Sequence, residues 1–212
     1  MKSWNPILFD MDGTLVDSAP AISARLRETL EHFDVIPPDE AGIRLLIGPP
    51  TGSSLLTFVG PARVDEANAF YKKLAKRDDL AHQSLYPEVD RLLATLTEAG
   101  IPLGLSTSKP QREAQHTAEH FGIASYFTAL VGSSTSRPTK AAVVGETLTQ
   151  LAANAPSLAP IMVGDRSFDI EGAAEHNVPT VLVRWGYAAP DEERAALAGV
   201  DSIDDLLSFL VA

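Results

Sequence analysis

The chain has 212 residues, 45% of them apolar and 21% charged, with a formal net charge of −11 and no cysteine. That composition excludes a disulfide scaffold, thiol catalysis and a cysteine-based zinc site, and so acidic a surface disfavours a nucleic-acid polymer or an anionic membrane as partner. No segment reaches the eighteen or so apolar residues of a membrane span. The opening MKSWNPILFD carries too short an apolar run for a signal peptide, so a soluble cytoplasmic protein, monomer or homodimer, is expected.

Ile7 to Phe9 is a short apolar run between Pro6 and Asp10, the mark of a buried strand. A helix follows from Ser18, a candidate N-cap with Pro20 in the first turn, to about Phe33. Residues 34 to 83 read as helices punctuated by glycine and proline. One starts at Pro37-Pro38-Asp39 and breaks at Gly48-Pro49-Pro50, one covers Ser54 to Val59, and one runs from Ala62 to about Arg77. After Tyr86-Pro87 helices and strands alternate strictly. Helices are expected over Pro87–Ala99, Pro110–Phe121, Thr139–Leu151 and Ser167–His176. Strands are expected over Ile101–Leu105, Phe127–Val131, Pro160–Val163 and Val178–Val183, with two short helices closing the chain. Such alternation argues an α/β fold, a Rossmann-like, doubly wound parallel sheet. A small all-helical domain at 16–83 is inserted into a core made of 1–15 and 84–212, with connections near 15–18 and 82–86 as the hinge.

In such sheets ligands bind beyond the carboxyl ends of the strands. The residues found there are Asp10 and Asp12, then Ser106 to Ser108, then Gly132 to Ser136, then Asp165. A single aspartate after a strand is ordinarily a turn or capping residue. Here Asp10, Asp12, Asp165 and Asp169 converge, and four carboxylates in one crevice repel unless compensated. A hard divalent cation with oxygen ligands fits, Mg²⁺ foremost, and Lys140 is the basic residue placed to help. An EF-hand loop counted from Asp10 fails, because its sixth position is Leu15 and its twelfth Ala21. His116 and His120 share the letters of a zinc-protease helix, but no third ligand accompanies them, and they read as a solvated helix face.

Four segments together resemble the haloacid dehalogenase superfamily of aspartate-nucleophile phosphohydrolases. They are DMDGTLVDS at 10–18, the strand leading into Ser106-Thr107-Ser108-Lys109-Pro110, Arg137-Pro138-Thr139-Lys140, and IMVGDRSFD at 161–169. The helical insert resembles the family's cap, while LYPEV at 85–89 and VLVRWGY at 181–187 look most like the phosphoglycolate phosphatase branch. The resemblance implies a phosphatase of small phosphorylated metabolites. Asp10 is then the nucleophile and Asp12 the acid and base. Thr107, with Gly13, Ser108 and backbone N–H groups, meets the phosphoryl oxygens, and Lys140 balances the charge. Asp10, the backbone carbonyl of Asp12 and Asp165 hold Mg²⁺, with Asp169 completing the shell through water or by orienting Lys140. Relatives often carry the motif-three lysine just before the proline. Arg137 stands there in this chain, and Lys140 is preferred to it. Lys109 either reaches the phosphate or is a solvated residue at a helix start. The cap residues expected to face substrate do not align cleanly on Tyr71, Lys72, Lys73 or Arg77, which leaves the ester open. A nucleoside monophosphatase, a phosphosugar mutase and, outside enzymes, a phosphoacceptor signalling module remain the alternatives.

Overall fold

The computed structural model describes residues 4–48, 51–78, 80–153, 159–189 and 191–211, so Pro49 and Pro50 of the expected helix break lie outside the described residues. The chain divides into two compact units, Met1–Asp17 with Leu85–Ala212, and Ser18–Ser84. The insertion thus begins two residues later and ends one residue later than the 16–83 expected, since the short strand Val16–Asp17 stays with the first unit.

The first unit is built on six parallel strands: β1 (Ile7–Phe9), β2 (Leu103–Pro110), β3 (Phe127–Ser133), β4 (Ile161–Gly164), β5 (Thr180–Val183) and β6 (Ala198–Val200). Their order across the sheet is β3-β2-β1-β4-β5-β6, the doubly wound order whose reversal point falls beside the first strand. β1 is fully buried on both faces. Ile7 and Phe9 join a cluster that includes Leu92, Leu96, Ala118 and Leu206, whereas Leu8 joins Val144, Leu151 and Ala173 on the other side. Period-two side-chain alternation sends neighbours to opposite faces. A strand covered on both faces therefore needs an unbroken apolar run, and ILF is one.

Helices of the second unit are α1 (Ala19–His32), α2 (Glu40–Leu45), α3 (Thr51–Val59) and α4 (Val64–Asp78), and its described residues contain no strand before Ser84. Asp39 caps α2 through Gly42 N–H, 2.8 Å away. Leu26, Leu30, Phe33, Ile43, Leu55, Ala67 and Tyr71 form this unit's own core. In the first unit follow α5 (Val89–Glu98), α6 (Gln111–His120), α7 (Lys140–Ala152), α8 (Ser167–Ala174) and α9 (Ile203–Val211). The end of the chain departs from expectation. Its two helices are a 3₁₀ turn at Glu192–Ala195 and α9, and between them runs the edge strand β6. Ala-Gly-Val has neither the length nor the alternation that marks a strand in sequence; pairing with β5 makes it one.

β2 extends five residues past Leu105, the last one paired with β1. That overhang carries Thr107, Ser108 and Lys109 over the mouth of β1, where Asp10 and Asp12 emerge.

Candidate active site

Asp10 continues the β1 ladder by one bond, its N–H donating to Val163 O at 2.9 Å, which fixes its side chain at the strand mouth. Asp165 leaves the end of β4, and Asp169 lies one turn on, in α8. One carboxylate oxygen from each of the three can be chosen so that all lie within 4.8 Å of one another. All three residues are at least nine-tenths buried. Lys140, the first residue of α7 and equally buried, places Nζ 2.8 Å from Asp10 and 2.6 Å from Asp169. The N-cap Thr139 sets its direction, the hydroxyl accepting from Ala142 N–H at 3.1 Å. Asp169 turns its other oxygen back to the N–H groups of Asp165 and Arg166, at 3.1 and 3.0 Å. With those oxygens committed to Lys140 and the backbone, Asp169 orients the lysine and shapes the loop that presents Asp165.

Burial pushes the Asp10 carboxyl up to about 6 against the pull of Lys140, and burial with the charge of Asp169 holds Asp165 well above the usual range. Burial alone would lower Lys140, but the charges on Asp10 and Asp169 outweigh it and raise it. Counted over Asp10, Asp12, Asp165 and Asp169 against Lys109 and Lys140, two negative charges remain uncompensated, since Arg166 is matched by Glu192 at 2.9 Å. An all-oxygen donor set with an excess of two negative charges suits a hard divalent cation. An acid raised by folding retains protons that the unfolded chain has already lost, so folding becomes less favourable as pH rises from about 4 through 6. A bound cation removes that penalty. Saturating Mg²⁺ is therefore expected to raise the melting temperature by roughly 5–10 °C near pH 8 and far less near pH 5. A larger rise at the acidic end would contradict the assignment.

A loop after β5 supports the acids from behind. Tyr187 N–H donates to the second oxygen of Asp165 at 2.7 Å, and Tyr187 Oη to Asp17 at 3.1 Å. Trp185 donates its indole N–H to Thr14 O at 3.1 Å. Gly186 lies so close that a Cβ there would collide with the Asp165 side chain and fall 2.5 Å from Gly13 O. Gly13, at φ +85°, is pressed against the Asp165 carboxylate in the same way. Its N–H is already bonded to Val16 O at 2.9 Å. This glycine therefore permits close approach of the first motif to Asp165. Gly186→Ala is expected to lower Mg²⁺ affinity about 10-fold or more, measured by calorimetric titration, because it displaces Asp165; unchanged affinity would show that the loop is not part of the cradle.

The remaining expected residues divide. Thr107 is buried, and its Oγ1 accepts Lys109 N–H at 3.2 Å, leaving the hydroxyl proton free to be donated. Ser108 is exposed, its carbonyl held by Ser133 Oγ at 2.8 Å. The Asp12 carboxylate stands apart from the acidic triad and meets Lys109 Nζ at 2.7 and 2.9 Å. Arg137 bonds Gly132 O and Gln111 Oε1, at 3.3 and 3.2 Å, as a brace of the loop after β3. Lys140, not Arg137, is the cation beside Asp10.

The strand ends of a doubly wound sheet thus gather four aspartates, a threonine hydroxyl and a buried lysine. The haloacid dehalogenase-like hydrolase family model matches residues 7–183, and the chain belongs to that family. It is 37% identical over 187 residues to a protein of Mycobacterium tuberculosis named tyrosine-protein kinase PtkA, covering 87% of this chain but only 64% of that relative's length. It is 33% identical over 216 residues to the phosphoglycolate phosphatase of Rhodospirillum rubrum, covering 96% of this chain and 88% of the relative. Among solved structures, a haloacid dehalogenase-like hydrolase from Streptococcus pneumoniae superposes with a TM-score of 0.91 at 29% identity, covering 99% of both chains.

Proposed function

We propose that this protein is a Mg²⁺-dependent hydrolase of small phosphomonoesters that works through an aspartyl phosphate on Asp10, with 2-phosphoglycolate the leading substrate. The observation that carries the reading is the division of labour between two acids of one loop: Asp10 sits against buried Lys140, and Asp12 stands apart from the acidic triad. An Asp10 oxygen attacks phosphorus as the ester O–P bond breaks, and Asp12 gives its proton to the departing alkoxide. Asp12 then takes a proton from the water that attacks phosphorus, which frees inorganic phosphate and restores Asp10. Lys140 offsets charge on the nucleophile, and the Thr107 hydroxyl donates to a phosphoryl oxygen. Asp10, Asp165 and the Asp12 carbonyl would hold Mg²⁺, which supplies positive charge facing the phosphoryl oxygens.

The name of the Rhodospirillum relative supports the substrate, and the net charge of −11 supports a small metabolite over a polymer as partner. The name of the mycobacterial relative points to a second acceptor, a tyrosine hydroxyl in place of water. Phosphate release from 2-phosphoglycolate, nucleoside monophosphates, sugar phosphates and an aryl phosphate, each with Mg²⁺ and with chelator, tests the reading. Mg²⁺-dependent release, fastest from 2-phosphoglycolate, is expected. Transfer to a protein tyrosine or back to a sugar without release of phosphate would overturn it.

A further inference from the structure

Lys109 is a cation at the strand mouth to which the reaction above gives no part. Its side chain is only 11% exposed and meets both oxygens of Asp12. Nothing about this placement is loose. Lys109 lies on the β2 overhang and precedes Pro110, which restricts it to extended backbone. Its N–H is bonded to Thr107 Oγ1, and the carbonyl before it is held by Ser133 Oγ. A lysine with a fixed backbone, grasping both oxygens of one carboxylate, sets where that carboxylate stands.

We propose that Lys109 is a positioning residue for Asp12. It holds the carboxylate off the Asp10–Asp165–Asp169 triad and on the side from which the leaving group departs. The proposal rests on the phosphatase reading. It also explains why the second acid of the DMD sequence does not collapse onto the triad, where a released carboxylate two residues from Asp10 would become another metal ligand. Because Thr107 is tied to the same residue's backbone, one short segment registers both the phosphoryl oxygen donor and the leaving-group acid.

The test compares an alkyl phosphate, whose leaving group needs a proton, with an aryl phosphate, whose leaving group departs without one. In Lys109→Met the ratio of kcat/KM for alkyl over aryl ester should fall about 10-fold or more, less than the roughly 10²–10⁴-fold a general acid contributes because the acid is misplaced and not removed, and Lys109→Arg should recover most of it. In an Asp12→Asn background, Lys109→Met should add no further loss on the alkyl ester. Equal losses on the two esters, or a loss in the Asp12→Asn background as large as in the wild type, would overturn the proposal by showing that Lys109 acts on the phosphoryl group or on the fold. Failure of the wild type to release phosphate from either ester with Mg²⁺ is a separate result. It would overturn the phosphatase reading and the role of Lys109 with it.

Discussion

Asp10→Asn is expected to lower kcat by at least about 10⁴-fold while the protein still folds. An amide cannot form the acyl phosphate, and loss of a covalent nucleophile removes effects of that size in enzymes whose groups act as a unit. The fold survives because asparagine has nearly the same shape and the backbone N–H of residue 10 still bonds Val163 O. Stability should change little or rise, since burial already raises the carboxyl to about 6 and the neutral amide avoids the cost of ionising it. The measurement is phosphate release alongside thermal unfolding. Turnover within about 10-fold of the wild type would remove Asp10 from the nucleophile's place.

The second large effect is at Lys140. Lys140→Met fills similar volume but leaves Asp10 and Asp169 without the ammonium that lies 2.8 and 2.6 Å away. Removing one partner of a buried ion pair costs about 3–5 kcal/mol because the other charge stays buried. At a few degrees per kcal/mol for a chain of this size, the melting temperature should fall by roughly 10 °C or more near pH 8. Acidification should recover much of the loss, because protonated aspartates no longer need the lysine. Turnover should fall a further 10²-fold or more through lost stabilisation of charge on the transferring group. A variant as stable and active as the wild type would show that the lysine is peripheral.

Much of this site is legible in the chain because its chemistry sits on short-range patterns. An apolar triplet followed by Asp-Met-Asp-Gly places two acids at a strand mouth, and Gly-Asp followed four residues on by Asp169 places two more beyond the end of the adjacent strand. Which strands adjoin follows from the winding rule that also puts β1 beside β4. What the pattern does not carry is contact made by backbone or by reach. Tyr187 supports Asp165 through its N–H, a group every residue but proline has, so no side-chain letter announces it. A glycine three residues beyond a strand, as Gly186 is, is the available hint of close approach. Lys109 is ambiguous in sequence because the overhang of β2, not its own neighbourhood, delivers it to Asp12. The close packing of Gly13 on Asp165 joins residues far apart in the chain, and β6 exists only because β5 offers an edge.

The proposed reaction carries a phosphoryl group on Asp10. Its most direct test is to mix the protein with Mg²⁺ and a readily cleaved aryl phosphate, quench in acid within one turnover, digest, and weigh the peptide that carries DMDGTLVDS. The added mass of one phosphoryl group is expected on Asp10, labile to hydroxylamine, and none in Asp10→Asn. Steady release of phosphate with the peptide unmodified at every quench time, or the added mass on another residue, would contradict it.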